Sequence, residues 1–255
     1  MIASARVALA APRGYYANAM FFNPDLDVVS PRKPNGVNGG PASARLSFVV
    51  GRGKHRRFVA RRVVGADTRP LINGRLTSVR GAPIVGARVW RAFAVTDGAW
   101  QISGNPLETS ATGRVSGRLP ARMPNREVRL VYFPYSDTSV NVQSPSRRLR
   151  VRAATTMHAD QAGYRNGDTM RFSGRITTLP FARRKAVYLQ VIVRGRWRTF
   201  DTTRADPRGR WRLSYRFTAT RQLTVYRFRA VVPAEEQPVG WATGYSRALR
   251  VLVAP

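Results

Sequence analysis

A chain of 255 residues has room for one large β domain or two of about a hundred residues each. Lys and Arg number 44 against 13 Asp and Glu, a formal net charge of +31, yet 43% of the residues are hydrophobic and 10% aromatic. That apolar content argues against a globally disordered chain. The absence of cysteine excludes disulfides, thiolate metal sites and cysteine nucleophiles.

The positive charge is almost entirely arginine, the only lysines being Lys33, Lys54 and Lys185. A balance of this kind raises nucleic acid, other anionic polymers and anionic membrane as partners. Two origins fit it: an arginine-rich codon usage, and a surface selected for polyanions. Either gives non-specific polyanion binding at low salt. At the start of the chain, Arg6 interrupts the apolar residues, and Val7-Ala8-Leu9-Ala10-Ala11 is short for the core of a secretory leader. No run approaches the ~18 apolar residues of a spanning helix. The expectation is a cytoplasmic chain or the C-terminal part of a longer exported one.

Residues 1–41 read as an irregular segment, either a linker or the remnant of an upstream domain. Asn23-Pro24-Asp25, Ser30-Pro31-Arg32-Lys33-Pro34-Asn35-Gly36 and Asn38-Gly39-Gly40-Pro41 are breaker chemistry in quick succession. The aromatic residues Tyr15, Tyr16, Phe21 and Phe22 belong to the last strand of that upstream domain or to an edge strand docked on the first β unit. From Ala42 the pattern turns to short β stretches. Arg45-Leu46-Ser47-Phe48-Val49-Val50 and Phe58-Val59-Ala60 flank a basic tip, Gly51-Arg52-Gly53-Lys54-His55-Arg56-Arg57.

The organising stretch comes next. Gly74-Arg75-Leu76 ends one strand, Gly81-Ala82-Pro83 turns, and Gly86-Ala87-Arg88-Val89 starts another. Strand-like runs then occur at Trp100-Gln101-Ile102, Gly113-Arg114-Val115, Arg126–Phe133 and Arg147–Arg152. An echo of the anchor, Phe172-Ser173-Gly174-Arg175-Ile176-Thr177, opens a second series. Three landmarks recur in one order at offsets of roughly one hundred residues. They are Gly65-Ala66-Asp67-Thr68 with Asn166-Gly167-Asp168-Thr169, Gly113 with Gly209, and Pro145-Ser146-Arg147 with Tyr245-Ser246-Arg247. They indicate a duplication, with units at 42–152 and 153–255. In Arg210-Trp211-Arg212-Leu213-Ser214-Tyr215-Arg216-Phe217, period-two alternation puts Trp211, Leu213, Tyr215 and Phe217 on the core face and the arginines in solvent.

The Gly74–Val89 residues resemble the opening hairpin of carboxypeptidase regulatory-like domains, small Ig-like, transthyretin-like sandwiches appended to bacterial exported proteins. The second series, with Val193-Arg194-Gly195-Arg196-Trp197-Arg198-Thr199-Phe200 and Asp206-Pro207-Arg208-Gly209-Arg210-Trp211, resembles arginine-rich Ig-like repeats of actinobacterial surface proteins. Unit one departs from the pattern in having Thr109-Ser110-Ala111-Thr112 where an Asp-x-x-Gly turn would stand. The resemblance implies an all-β fold of two tandem Ig-like antiparallel β-sandwiches, an extracellular or cell-surface location, and no catalysis.

Little points to chemistry. His55 and His158, one in each series, make neither a Ser-His-Asp arrangement nor a His-rich metal site. Asp25 with Asp27 and Glu235 with Glu236 lie in breaker-rich loops and read as solvated acids. No phosphate-cradling glycine loop and no Gly-x-Ser-x-Gly elbow occurs. No catalytic residue, cofactor or metal is expected. The candidate polyanion-binding residues are Arg52, Lys54, Arg56 and Arg57 in the tip, and Arg210, Arg212 and Arg216 on one strand face. Trp100 and Trp241, close to turns, are the candidate glycan-stacking rings, whereas Trp90 and Trp211 belong to the core. The expected function is a non-enzymatic structural spacer at the end of a larger exported protein, with the upstream domain of the same polypeptide as first partner. The alternative is a module that binds carbohydrate or polyanions such as acidic cell-wall polymers. No sequence-specific nucleic acid contact and no membrane span is expected.

Overall fold

Successive side chains of a strand leave opposite faces, so stretches that alternate apolar and polar residues build sheets with one dry face and one wet one. The computed structural model describes residues 15–17, 34–37, 39–50, 53–95, 98–135, 140–178, 184–234 and 240–255. The chain divides into two compact units. Unit one comprises Met1–Arg62, Arg69–Leu119 and Arg126–Leu149, and unit two Val63–Thr68, Pro120–Asn125 and Arg150–Pro255.

The first eleven strands are β1 (Tyr15–Ala17), β2 (Ala42–Val50), β3 (Arg57–Val59), β4 (Arg61–Gly65), β5 (Leu71–Ser78), β6 (Arg88–Ala94), β7 (Gln101–Glu108), β8 (Arg114–Arg118), β9 (Arg126–Tyr132), β10 (Val140–Gln143) and β11 (Arg147–Arg152). Strands β4 and β11 each have residues in both units. In unit one, β3-β2-β5-β8 form one antiparallel sheet. In the other, β6 pairs with β7 and β9, and β10 then β11 line the remaining edge of β9. Leu46, Phe48, Ile72 and Leu76 from the first sheet meet Val89, Val128, Leu130 and Tyr132 from the second, all buried. Each such side chain contributes roughly 1.5–3 kcal/mol when fully buried.

Unit two adds β12 (His158–Ala159), β13 (Gly163–Arg165), β14 (Thr169–Arg175), β15 (Ala186–Val193), β16 (Arg196–Arg204), β17 (Arg210–Arg216), β18 (Thr224–Val232), β19 (Gly244–Tyr245) and β20 (Leu249–Ala254). Its sheets are β12-β14-β17 and β13-β20-β18-β15-β16, with β19 also on β18. Phe172, Phe200, Tyr215, Phe217, Tyr226 and Phe228 form one chain of ring contacts, with Phe172 and Phe228 edge to face at 5.0 Å. The expected faces hold. Trp211 and Phe217 are buried, Leu213 and Tyr215 half-buried, and Arg210, Arg212 and Arg216 exposed. Both units have the strand order of an Ig-like sandwich in which the fourth strand stays beside the third.

The duplication extends to single hydrogen bonds. Gly74 and Gly174 occupy one place. A Cβ at Gly74 would strike Leu130, Val115 and the Arg45 carbonyl, and one at Gly174 would strike the Thr156 carbonyl and the Trp211 ring. Ser144 Oγ accepts from Leu130 N at 2.9 Å while Ser144 N donates to the Leu130 carbonyl at 3.0 Å. Ser246 makes the same pair with Ala230, at 2.9 and 2.9 Å. The repeat therefore matches Ser144, not Ser146, with Ser246, which corrects the landmark drawn from the two Ser-Arg dipeptides.

Two further expectations change. The Asp-x-x-Gly turn missing from the unit-one sequence is present with serine in the acid's place. Ser110 Oγ accepts from Thr112 N and Arg114 N, as Asp206 Oδ1 accepts from Arg208 N and Arg210 N. Gly113 and Gly209 close these turns at φ of 70° and 79°, a region open to glycine. The anchor stretch, in turn, is not a strand hairpin. Thr77 bridges Pro83 and Ile84 N reaches the Leu76 carbonyl, but Ile84 and Ala87 then drop into the core and β6 joins the opposite sheet.

Part of the segment expected to be irregular belongs to unit one's framework. Strand β1 pairs with β10. Asn35 donates from Nδ2 to the Arg88 and Phe133 carbonyls, accepts from Arg88 N, and receives the Tyr132 hydroxyl on its own carbonyl at 2.7 Å. Phe21, Phe22, Asp25, Asp27, Glu235 and Glu236 lie outside the described residues.

Candidate polyanion interface

The Gly-Arg dipeptides that mark the repeat also lay out its charge. Gly74 and Gly174 face inward because the core leaves no room for a side chain there, so Arg75 and Arg175 face out. Arg114 and Arg210 open β8 and β17 directly after the glycine turns. Antiparallel register then places Arg45 opposite Arg75 and Arg75 opposite Arg114. Three arginines thus form one rung across β2, β5 and β8. In unit two Arg175 lies opposite Arg210, at the equivalent place.

Directly opposed residues have Cα atoms about 4.5–5.5 Å apart, and like charges in that relation destabilise a sheet. All five side chains are exposed. Among the described residues, Arg45, Arg75, Arg114 and Arg210 make no ion pair and no side-chain hydrogen bond, while Arg175 Nε donates to the Arg208 carbonyl at 3.1 Å. The outer face of β14 and β17 also carries Arg171, Arg212 and Arg216, and neither strand contains an acid. Beside it runs a groove of about 440 Å³ lined by Arg184, Arg204, Arg210 and Arg212. Its one acid, Asp206, is engaged by the backbone amides of its own turn.

Of the residues singled out in the sequence, Arg210, Arg212 and Arg216 are therefore brought together, and they are joined by Arg171 and Arg175. Lys54, Arg56 and Arg57 are exposed at the β2–β3 connection, where Gly53–His55 forms a single 3-10 turn; Arg52 lies outside the described residues. That tip is at the far end of β2 from Arg45 and does not extend the rung. Nearby, Arg62 donates from Nη1 to the Val49 carbonyl at 2.5 Å, and burial pushes its pKa down.

The glycan-stacking candidates fare differently. Trp241 is only 2% exposed and belongs to the core of unit two, which corrects its assignment as a surface platform. Proximity to a turn misled, because Ala242 bridges Arg152 right after it and draws the chain into the sandwich. Trp100 is half-buried, with the Arg129 guanidinium carbon 3.7 Å from its ring centroid, so one ring face is already covered. Trp90 is half-buried and meets Phe133 edge to face at 5.3 Å, whereas Trp211 is core and donates from Nε1 to Thr155 Oγ1 at 3.2 Å.

Arg45, Arg75, Arg114, Arg171 and Arg175 were not singled out in the sequence, although the recurring Gly-Arg dipeptide was a signal for Arg75, Arg114 and Arg175. Arg126 was also missed. It is buried, its guanidinium lies 5.5 Å from the Phe93 ring centroid, and Nε and Nη1 have no hydrogen-bond partner among the described residues. Burial pushes its pKa down to about 10, which leaves it charged at neutral pH. Both histidines are exposed, and the described residues contain no cluster of three or more His, Asp or Glu side chains able to hold a metal.

No family model matches the chain, and no curated protein matches it. Solved structures do. The D0–D1 domain of intimin aligns at 14% identity and a TM-score of 0.30, over 74% of this chain and 93% of its own. The Yersinia pseudotuberculosis adhesin InvE aligns at 10% identity and a TM-score of 0.34, over 83% of this chain and 58% of its own. The chicken interferon gamma receptor alpha chain aligns at 10% identity and a TM-score of 0.40, over 75% of this chain and 95% of its own. The Ig-like strand order stands independently of these likenesses. Among the described residues, no helix is long and apolar enough to cross a membrane.

Proposed function

We propose that the chain is a non-enzymatic structural module of an exported or surface protein, and that its two Ig-like sandwiches hold an acidic polymer through their arginine rungs. The observation that carries this reading is the rung Arg45–Arg75–Arg114 and its repetition as Arg175–Arg210. Each rung sets cations side by side with no acid between them, an arrangement that an anionic chain laid across the strands would relieve. Guanidinium groups form bidentate contacts with phosphate and carboxylate, and contacts to a polymer backbone carry no sequence information. Surface placement, and an upstream domain that these units hold away from the envelope, are supported by the resemblance of Gly74–Val89 to regulatory-like domains of exported proteins.

The test is binding of the purified chain to a poly(glycerol phosphate), to single-stranded DNA and to neutral dextran across a salt series. Saturable binding to the two anionic polymers that survives at ~0.15 M salt is expected, with none to dextran. Replacing Arg45, Arg75 and Arg114 together by serine should flatten the log–log salt dependence on DNA by about 0.7 per lost contact, or roughly 2 in all. Loss of all binding near physiological salt, or a slope that the triple replacement leaves unchanged, would overturn the reading.

A further inference from the structure

The opposite sheet of unit two carries a different arrangement. On its outer face, register sets Gln190 beside Arg229, and Tyr188, Val231 and Tyr245 in one row along the next rung. The Arg229 guanidinium carbon lies 4.2 Å from the centroid of Trp197 and 4.4 Å from that of Tyr245. Its Nε donates to Gln190 Oε1 at 2.8 Å. Two rings and one amide therefore fix the plane of the guanidinium, and the Nη edge makes no hydrogen bond among the described residues. Tyr188 and Tyr245 remain 37% and 45% exposed beside it. The single acid on β15, β16, β18 and β19 is Asp201, whose Oδ1 accepts from Thr202 N.

We propose that this face is a receptor for a carboxylated sugar: the Nη fork of Arg229 takes the carboxylate, and the exposed rings of Tyr245 and Tyr188 take the pyranose. A planar fork held in place loses little freedom on binding and matches a carboxylate with two parallel hydrogen bonds. Aromatic neighbours shield that contact from water, as ligand sites do when a few polar groups are set in apolar walls. A sugar acid fits better than a bare anion because the surroundings are ring surface. A bare anion fits the rungs of the first sheet, which have none.

Unit one shows what the site requires. Arg129, the counterpart of Arg229, stacks on Trp100, but Ala92 stands in the place of Gln190 and Gln143 in the place of Tyr245. The orienting amide and the second ring are both missing there, so the assignment is to unit two alone.

The test is independent of the rung reading. Binding of the monosaccharide galacturonate, of its methyl ester and of an inorganic polyphosphate is measured at ~0.15 M salt on the intact chain. The expected result is that the free acid binds at least tenfold more tightly than its ester. Arg229→Lys keeps the charge and removes the fork, so it should weaken the free acid at least tenfold and leave polyphosphate unchanged. Tyr245→Leu, at an exposed position, should weaken the sugar similarly and serves if Arg229→Lys fails to fold. The Arg45, Arg75 and Arg114 triple replacement should weaken polyphosphate and spare the sugar. Equal binding of acid and ester, or of parent and both Arg229→Lys and Tyr245→Leu, would overturn the assignment.

Discussion

If the rung exists to meet an anion, it should weaken the free protein, and reversing its central charge should show this. Arg75 lies between Arg45 and Arg114 on adjacent strands. Charges about 6 Å apart in water repel by roughly 0.7 kcal/mol per pair, and a Debye length of about 8 Å roughly halves that at physiological salt. Arg75→Glu turns two repulsions into two attractions, a gain of about 1.4 kcal/mol once screening is included. The share of each pair, about 0.7 kcal/mol, agrees with the roughly 0.2–1 kcal/mol found for cross-strand pairs. For a unit of about a hundred residues the total corresponds to a Tm rise of about 6–11 °C. The assay is calorimetric melting of parent and variant at ~0.15 M and ~1 M salt, beside titration with poly(glycerol phosphate). The variant should melt higher at the lower salt, lose most of that advantage at the higher one, and bind the polymer more weakly. A Tm that falls, or a gain that ~1 M salt leaves intact, would refute the electrostatic argument.

The same geometry yields further expectations. Because Ser110 does in unit one what Asp206 does in unit two, Ser110→Asp should leave stability equal or higher, whereas Asp206→Ala should lower the melting of unit two more than Asp206→Ser does. Tyr164 is buried and donates to Asp160 Oδ1 at 2.6 Å; burial first, and that bond second, push its pKa up to about 12. Its folded value lies above the unfolded one near 10, so the stability it contributes is whole below pH ~10 and disappears as pH rises through ~12. Tyr164→Phe should remove that alkaline limb from a urea-denaturation series. It should also let the Asp160 carboxyl, held below its usual range first by the Tyr164 hydroxyl and then by the Arg171 amide, titrate higher by NMR.

Local periodicity made the strand faces legible. Alternation in Arg210–Phe217 needs no knowledge of a partner strand, and each residue there took the expected side. Register is a different quantity, because it relates stretches far apart in the chain. Arg45, Arg75 and Arg114 lie in three separate strands, and only pairing shows that they form one rung. The site was therefore half visible: Arg210, Arg212 and Arg216 share a strand, whereas Arg171 and Arg175 reach them through hydrogen bonding of the backbone. Trp241 was misplaced for a related reason. Turn chemistry reports where the chain bends and is silent on whether the bend points into solvent. Ser110 escaped because the turn needs a short acceptor, which a hydroxyl supplies as a carboxylate does.

Whether the arginines reflect codon usage or a site can be argued from where they stand. Codon bias acts on exposed positions without regard to which sheet they occupy. In unit two the outer face of β14 and β17 shows Thr169, Arg171, Ser173, Arg175, Arg210, Arg212, Ser214 and Arg216, with no apolar side chain. The outer face of the opposite sheet instead carries Tyr188, Val225, Tyr245 and Leu252, each more than a third exposed, among its arginines. One bias acting on two wet faces of one unit would not sort residues in this way. Directly opposed cations occur on both faces, Arg175 with Arg210 on one and Arg227 with Arg250 on the other, so what sets the first face apart is that its arginines have only short polar residues among them. On the two proposals the faces of unit two would take different ligands, a flexible acidic chain on one and a single oriented sugar acid on the other. Arg229→Lys and the joint replacement of Arg175 and Arg210 by serine separate them because each changes what the other keeps.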